Sequence, residues 1–316
     1  MNVKNEINQL LAQVISKGAS DLFFLPKKQQ YLVLCREKDQ LVNIAEYQIQ
    51  EGVELINYLK FQSQMDIAEH RRPQVGAMSY QEHFLRLSSV GNFQDQESLV
   101  LRILYGIDQS KFYFEDDLTR INDLSKRRGL ILTSGPTGSG KTTTMYKIAK
   151  SFAKHKMVMT IEDPVEIVDQ DFLQTQVNLN AGNSYSCLLK SALRHRPDVL
   201  IIGEIRDSAT AKAAIDAALS GHLVLATVHA KNTFQTITRI EAMGIERTDL
   251  LNCLTAVSYQ RLIAGKCLMD IASGAGLASA ILNPEKRGFN CWQEKLQDLK
   301  ERGLVTDELY EQYKEG

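Results

Sequence analysis

Residues 135–142 read Gly-Pro-Thr-Gly-Ser-Gly-Lys-Thr and fill the pattern G-x-x-x-x-G-K-[ST] completely. The glycines allow the backbone to curl so that successive N–H groups point at a bound phosphate. In this pattern the lysine reaches the β- and γ-phosphates and the next hydroxyl binds Mg²⁺. An ordinary glycine-rich turn is the alternative. The residues expected to contact the nucleotide here are Gly135, Pro136, Thr137, Gly138, Ser139, Gly140, Lys141, Thr142 and Thr143.

The flanking sequence supplies the structural context that such a loop needs. Residues 130–133 predict a short buried strand before it, and Met145, Ile148, Ala149 and Phe152 predict one apolar helix face after it. The helix adds its positive N-terminal end to the same anion site. Strands and helices continue to alternate downstream. This alternation predicts an α/β domain with a largely parallel sheet covered on both faces.

The pattern changes near residue 120. Upstream of it, one helical stretch at about 50–68 lies among short β-rich runs at 21–25, 31–36, 83–88 and 98–104, which predicts a small α+β domain. Residues 108–117, rich in acids and aromatics, are interpreted as the connection. We therefore predict a small α+β domain with its linker over residues 1–115. The α/β domain, with a helical C-terminal tail, is predicted over 116–316.

Composition excludes several classes of protein. The chain has 316 residues, 44% hydrophobic and 24% charged, as in a soluble globular protein. Its net charge is −1, whereas a broad nucleic-acid-binding surface usually shows as an excess of basic residues. Five scattered cysteines without a C-x-x-C pair indicate neither a disulfide framework nor a zinc cluster. With no signal peptide or spanning stretch, we expect a cytoplasmic protein that reaches a membrane only through partners.

Acidic residues follow two of the predicted strands. Glu204 comes just after the apolar run 199–202, and the cluster 162–166 follows the strand predicted at 157–161. Because ligands bind at the carboxyl ends of strands in open α/β sheets, both are candidates to hold Mg²⁺ or polarise the attacking water. The alternative is that these acids only solvate loop ends.

Two histidines bracket the strand predicted at 223–228. His222 and His229 lie seven residues apart, on opposite faces of that strand, so they are not expected to share one metal ion. His229, at the carboxyl end, could sense the γ-phosphate through a hydrogen bond. A histidine considered alone is more often a structural residue.

Taken together, these segments resemble the secretion ATPase superfamily, whose members drive type II secretion, type IV pili and the competence pseudopilus. Its Walker A, Asp, Walker B and His boxes occur here in the family's order, and the resemblance covers about residues 18–265. The segments that carry it are GPTGSGKTTTMY (135–146), TIEDPVEI (160–167), LRHRPDVLIIGEIRDSATA (193–211), SGHLVLATVHAKNT (220–233) and VSYQRLI (257–263).

The resemblance implies a small N-terminal domain joined to a RecA-like P-loop NTPase domain, assembled as a homo-hexamer with ATP between subunits. It implies that Glu204 is the Walker B glutamate and that Glu166 acts with it on water. It assigns His222 and His229 to the His box as residues that contact the nucleotide, and Lys141 and Thr142 to phosphate and Mg²⁺, with Glu204 near the metal, partly through water.

In the first domain, residues 18–26 resemble the family's A-S-D-[IL]-H start, although Phe23 stands where the family has histidine. The strands predicted at 83–88 and 98–104 resemble two family strands whose arginines reach a nucleotide across the interdomain or intersubunit gap. In this chain those positions are Arg86 and Arg102. An arginine can hold phosphate oxygens in a bidentate manner and stabilise the transition state. Surface arginines on alternating strands are the alternative. Arg206 could also serve an interface.

Two absences favour the competence-pilus branch of the family. The tetracysteine zinc segment of many relatives is missing, since only Cys267 and Cys291 follow Arg261, and so is the typical tail of retraction motors. We therefore expect ATP and Mg²⁺, no zinc, an inner-membrane platform protein as partner, and a place at the inner face of the membrane. A retraction or type II secretion ATPase stays open as an alternative.

A RecA-like translocase acting on nucleic acid is a further alternative. The basic runs 126–128 and 194–196 would be its contact surface, although solvated surface is the simpler interpretation and no direct nucleic-acid binding is expected. The sequence does not decide between assembly and retraction, the ring symmetry, or which arginine acts on which subunit's nucleotide.

Overall fold

The computed structural model describes residues 2–37, 40–105, 111–178, 181–283, 285 and 288–316. The chain folds into two compact units, Met1–Gly106 and Ile107–Gly316. The division falls earlier than the expected 115/116 boundary, because Lys111–Phe112 already pairs with a strand of the second unit. Of the connection expected at 108–117, residues 108–110 lie outside the described residues.

The first unit is an antiparallel sheet with two helices on one face. In the sheet the strand order is β3-β2-β1-β6-β5-β4, and every neighbouring pair is antiparallel. Its elements are α1 Val3–Ser16, β1 Asp21–Lys27, β2 Gln30–Glu37, β3 Gln40–Gln48, α2 Ile49–Gln62, β4 Gln74–Tyr80, β5 His83–Gly91 and β6 Glu97–Leu104.

Alternation along the strands separates the two faces of this sheet. Leu85 and Leu87 of β5 and Leu99 and Leu101 of β6 are buried in the core formed with α1 and α2, whereas the residues between them are more exposed. A buried ion pair lies at the edge of this core. Lys60 Nζ is 2.8 Å from Glu97 Oε1, and the two side chains are 0% and 5% exposed.

The second unit contains an eight-stranded, largely parallel sheet in the order β10-β9-β11-β12-β8-β13-β14-β7, in which β13 and β14 form the antiparallel pair. Its elements are β7 Lys111–Phe112, α3 Glu115–Ser125, β8 Gly129–Ser134, α4 Lys141–Lys150, β9 Val158–Glu162, β10 Phe172–Gln176, α5 Tyr185–His195, β11 Val199–Ile202, α6 Ser208–Leu219, β12 Leu223–Val228, α7 Thr233–Glu241, α8 Arg247–Cys253, β13 Leu254–Ile263, β14 Lys266–Ser273, α9 Gly274–Leu282, α10 Trp292–Glu301 and α11 Asp307–Tyr313.

Both faces of this sheet are buried, as its apolar strands predict. Leu200 and Ile202 of β11 belong to the core on one face, and Val199 and Ile201 belong to the core on the other. The strands are in register, with Ser134 beside Val228 and Ile202 beside Ile161, so their carboxyl ends meet at one edge. That edge holds the candidate site.

The C-terminal helices cover the far strands of the sheet. Trp292, Leu296 and Leu299 of α10 are fully buried against Tyr259 and its neighbours, whereas Leu304 is 43% exposed. Among the described residues, no helix combines the length and the apolar character needed to cross a membrane.

Candidate active site

The phosphate-binding loop connects β8 to α4, as the sequence predicts, and two of its glycines are required by the backbone. Gly140 caps α4 at φ +82°, a conformation that side chains disfavour. Gly135 has φ +144°, and a Cβ there would collide with the carbonyl oxygen of Gln260. No other residue fits at Gly135 without moving β13.

Lys141 is positioned inside this loop. Its Nζ donates hydrogen bonds to the carbonyl oxygens of Gly135 at 2.9 Å and Pro136 at 2.8 Å. Burial lowers the pKa of Lys141, and the charges of Glu204 and Glu166 oppose that shift. No carboxylate of the described chain lies within 4.0 Å of the ammonium, so its positive charge is available to an anion in the loop.

Glu166 lies beside the loop. Its Oε2 accepts a hydrogen bond of 2.8 Å from the Thr142 hydroxyl, the first hydroxyl after the lysine. Glu166 is exposed and Thr142 is half-buried. The carboxylate-and-hydroxyl pair is hard oxygen chemistry of the kind that Mg²⁺ prefers. The structure therefore brings Glu166 to the phosphate-binding loop.

Glu204 follows β11 at the same edge and makes two polar contacts. Arg206 Nε donates to Glu204 Oε2 at 2.8 Å, and His229 Nε2 lies 3.3 Å from Glu204 Oε1. A guanidinium nitrogen of Arg206 also lies 3.5 Å from Asp163. The Glu204 side chain stays 20% exposed and so remains open to water. Its carboxylate is oriented by two partners, as a group that acts on a water molecule must be.

Glu162 does not belong with the open acids of its cluster. It is 2% exposed and accepts a 2.5 Å hydrogen bond from the Tyr146 hydroxyl, which in turn accepts one of 2.7 Å from Gln174. Burial raises the pKa of the Glu162 carboxyl. Glu162 is therefore not a solvated loop end; it braces β9 against α4.

The two histidines are separated by the whole length of β12. His229 contacts Glu204, but His222 precedes β12, at the opposite edge of the sheet, and its Nδ1 lies 3.0 Å from the carbonyl oxygen of Ala217. Strand geometry puts them about 20 Å apart. Within one chain they do not contact the same nucleotide. Grouping both as nucleotide contacts is therefore not supported by this geometry.

Arg86 and Arg102 lie in the first unit, directly opposite each other in the register of β5 and β6. Both are on the face of the sheet turned away from α1 and α2. Arg102 Nε donates to Asp21 Oδ1 at 2.8 Å, and Arg36 lies 3.7 Å from the same carboxylate. Their predicted contact with a nucleotide stays a prediction.

Gln260 of β13 also belongs to the site, although no sequence motif predicted it. This fully buried amide donates through Nε2 to the Ser139 carbonyl at 2.7 Å and so supports the loop from beneath. Among the described residues, neither the buried Gln260 Oε1 nor the buried Ser139 hydroxyl has a hydrogen-bond partner. A glutamine within an apolar strand was the available signal. A buried hydroxyl without a partner is expected where an anionic ligand completes a site, so the Ser139 hydroxyl can donate to a phosphate bound in the loop, whereas Gln260 Oε1 can only accept.

The described residues contain no group of three or more His, Cys, Asp or Glu side chains that could hold a metal ion by themselves. An ion in this site would therefore need oxygen ligands from a nucleotide or water as well as from Thr142 and Glu204. That requirement is usual for Mg²⁺ bound with substrate phosphates.

Comparison with known proteins gives consistent matches over nearly the whole chain. Residues 1–302 match the family model "Type II/IV secretion system protein". The competence protein ComGA of Streptococcus pneumoniae is 38% identical over 308 residues, which cover 96% of this chain and 96% of that protein. ComGA of Bacillus subtilis is 35% identical over 277 residues, 84% of this chain and 78% of that protein.

Solved structures confirm the predicted fold class. The ATPase DotB of Legionella pneumophila superposes with a TM-score of 0.77 at 17% identity, covering 97% of this chain and 94% of DotB. The pilus retraction motor PilT superposes with a TM-score of 0.76 at 22% identity, covering 96% of each chain. At identities as low as these, the superpositions are evidence for the fold alone.

Proposed function

Because this chain belongs to the type II/IV secretion system protein family, as its sequence resemblance predicts, we propose that it is a motor ATPase that powers assembly of a competence pilus, a type IV-like pseudopilus for DNA uptake. The single observation that carries the proposal is the phosphate loop with Glu166 and Glu204 gathered beside it, on a chain matched over 96% of its length by a competence protein. The type IV pilus assembly ATPase PilB of Acinetobacter baylyi is 38% identical over 83% of this chain and 47% of that protein.

The substrate is ATP, and the residues divide the work of hydrolysing it. The amides of the loop and the ammonium of Lys141 bind the phosphates and neutralise charge that spreads during phosphoryl transfer. Glu204 polarises the attacking water, and Arg206 and His229 fix the direction of its carboxylate. Glu166 acts with it from the side of Thr142. Thr142 and Glu204 would hold Mg²⁺, which supplies charge neutralisation at the phosphates.

The assembly proposed is a homo-hexamer in which ATP binding closes each second unit onto a neighbour's first unit and hydrolysis reopens it. Arg86 and Arg102 are proposed to reach the nucleotide across that gap. The moving ring would drive an inner-membrane platform protein that adds pilin subunits, and the motor would lie at the cytoplasmic face of the membrane through that partner.

A complementation experiment tests the proposal. Deletion of the gene should abolish surface pili and transformation, and the wild-type gene supplied in trans should restore both. A Lys141→Ala gene expressed at the same level should restore neither. Normal piliation and transformation in the deletion strain would refute the proposed role, and pilus assembly with loss of disassembly alone would assign the chain to retraction.

A further inference from the structure

A second concave site lies at the edge of the eight-stranded sheet opposite the phosphate loop. It is a surface pocket of about 460 Å³ among the ends of α3, α5 and α6 and the starts of β8 and β12. Six basic side chains line it: Lys126, Arg127, Arg128, Lys156, Arg196 and His222. The basic run 126–128 therefore meets Arg196, the last residue of the run 194–196, at one place.

The positive charge of this pocket is largely uncompensated. Within the described part of the chain, Arg127, Arg128 and Arg196 form no ion pair within 4.0 Å, and Lys126 is paired only with Asp123 of its own helix end. Asp198 is the pocket's one acid, and its Oδ2 accepts a hydrogen bond of 3.0 Å from the Met157 amide. Clustered like charges repel one another, so the pocket favours binding of an anion.

The backbone has positive φ angles at one of these arginines and next to a second. Arg196 ends α5 at φ +50°, a left-handed position where glycine costs less free energy. Gly221 has φ +93°, a conformation that itself favours glycine, and a Cβ there would lie 3.0 Å from a guanidinium nitrogen of Arg128. Arg128 and Arg196 both line the pocket.

We propose that this pocket binds an acidic segment of a partner protein. Arginine forks hold carboxylates in a bidentate manner, and Leu193 and Pro197 in the wall give an apolar side chain of the same segment a place to pack. A nucleic acid fits less well, because the lining residues that the structure describes include no Phe, Tyr or Trp on which bases could stack. With a net charge of −1, the chain as a whole also does not attract the polyanionic backbone of a nucleic acid.

The pocket is separate from the catalytic residues. β8 and β12 begin beside it, with Gly129 paired to Leu223, and end at the phosphate loop and His229. These strands place the pocket about 20 Å from the nucleotide site. The arginines of the pocket therefore do not contact ATP, and their replacement should leave basal hydrolysis unchanged.

Fluorescence anisotropy with the full chain tests this proposal. The probe is a fluorescein-labelled peptide, Glu-Glu-Leu-Glu-Glu-Leu, with the matched Gln-Gln-Leu-Gln-Gln-Leu peptide and a six-nucleotide oligothymidine as comparisons. The variant is Arg128→Ala/Arg196→Ala. The control is Arg239→Ala, which removes an exposed charge from α7, outside the pocket.

The acidic peptide should bind at least about tenfold more tightly than its neutral match, since charge-assisted contacts are lost in the latter. Affinity should fall about tenfold in the double variant, stay within about twofold in Arg239→Ala, and fall as salt is raised. Unchanged ATP hydrolysis shows that the double variant is folded. Equal peptide binding by the double variant and wild type, no saturation up to about 1 mM, or tighter binding of the oligonucleotide through the same arginines would overturn the proposal.

Discussion

Glu204→Gln isolates the role proposed for the carboxylate that acts on water. Glutamine has the same shape and keeps an oxygen that can accept from Arg206 Nε, now 2.8 Å from Glu204 Oε2. What it loses is the negative charge next to His229 and the ability to take a proton. The substitution therefore tests chemistry with little change in structure.

The expected changes in kcat and KM follow from what Glu204→Gln removes and what it keeps. A general base contributes about 10²–10⁴-fold to a rate, so kcat should fall by that factor, about 3–5 kcal/mol of activation free energy. The KM for ATP should stay within about threefold, because the loop amides and Lys141 are untouched. The fold should lose about 0–1 kcal/mol, since the Arg206 pair is partly exposed.

The assay is steady-state phosphate release over a range of ATP concentrations, with binding of a fluorescent ATP analogue measured in parallel. Glu294→Gln, an exposed residue of α10, is the matched control and should behave as wild type. A kcat within about threefold of wild type would refute the role of Glu204. So would a rise in KM at constant kcat, because that result describes a binding residue.

Three further predictions concern buried groups. Lys60→Met leaves the Glu97 carboxylate buried without its 2.8 Å partner, so urea denaturation should show a loss of about 3–5 kcal/mol, partly recovered by adding Glu97→Gln. Burial raises the pKa of Glu162 above its unfolded value, so the wild-type protein loses stability as pH rises through the folded pKa. The Tm of Glu162→Gln relative to wild type should therefore be higher at about pH 8 than at about pH 5. The opposite trend would contradict this prediction. Gln260→Leu leaves the Ser139 carbonyl unpaired, so calorimetry should show ATP affinity lowered about tenfold, and unchanged affinity would remove Gln260 from the site.

The parts of the fold that local patterns encode could be predicted from the sequence. The G-x-x-x-x-G-K-[ST] run between an apolar strand and an apolar helix face predicted the loop, because only a β-strand followed by a helix N-terminus provides that geometry. The positions of Glu166 and Glu204 followed from topology, since parallel strands bring their carboxyl ends to one edge.

Contacts between distant residues could not be predicted in this way. Gln260 reaches Ser139 across 121 positions, and no periodicity encodes that β13 lies beside β8. The burial of Glu162 depends on Tyr146 from the facing helix, and the local sequence 162–166 does not encode that contact. The meeting of the run 126–128 with Arg196 at one pocket likewise depends on where helices α3 and α5 end.

Phosphate release by the purified chain, with Mg²⁺ present, tests the central claim most directly. The wild-type chain should hydrolyse ATP with a rate that saturates, and Lys141→Ala, which removes the ammonium held 2.8 Å from the Pro136 carbonyl, should reduce that rate to background. Equal release by the two proteins, at equal folding as judged by circular dichroism, would contradict the assignment of this loop as the site of hydrolysis.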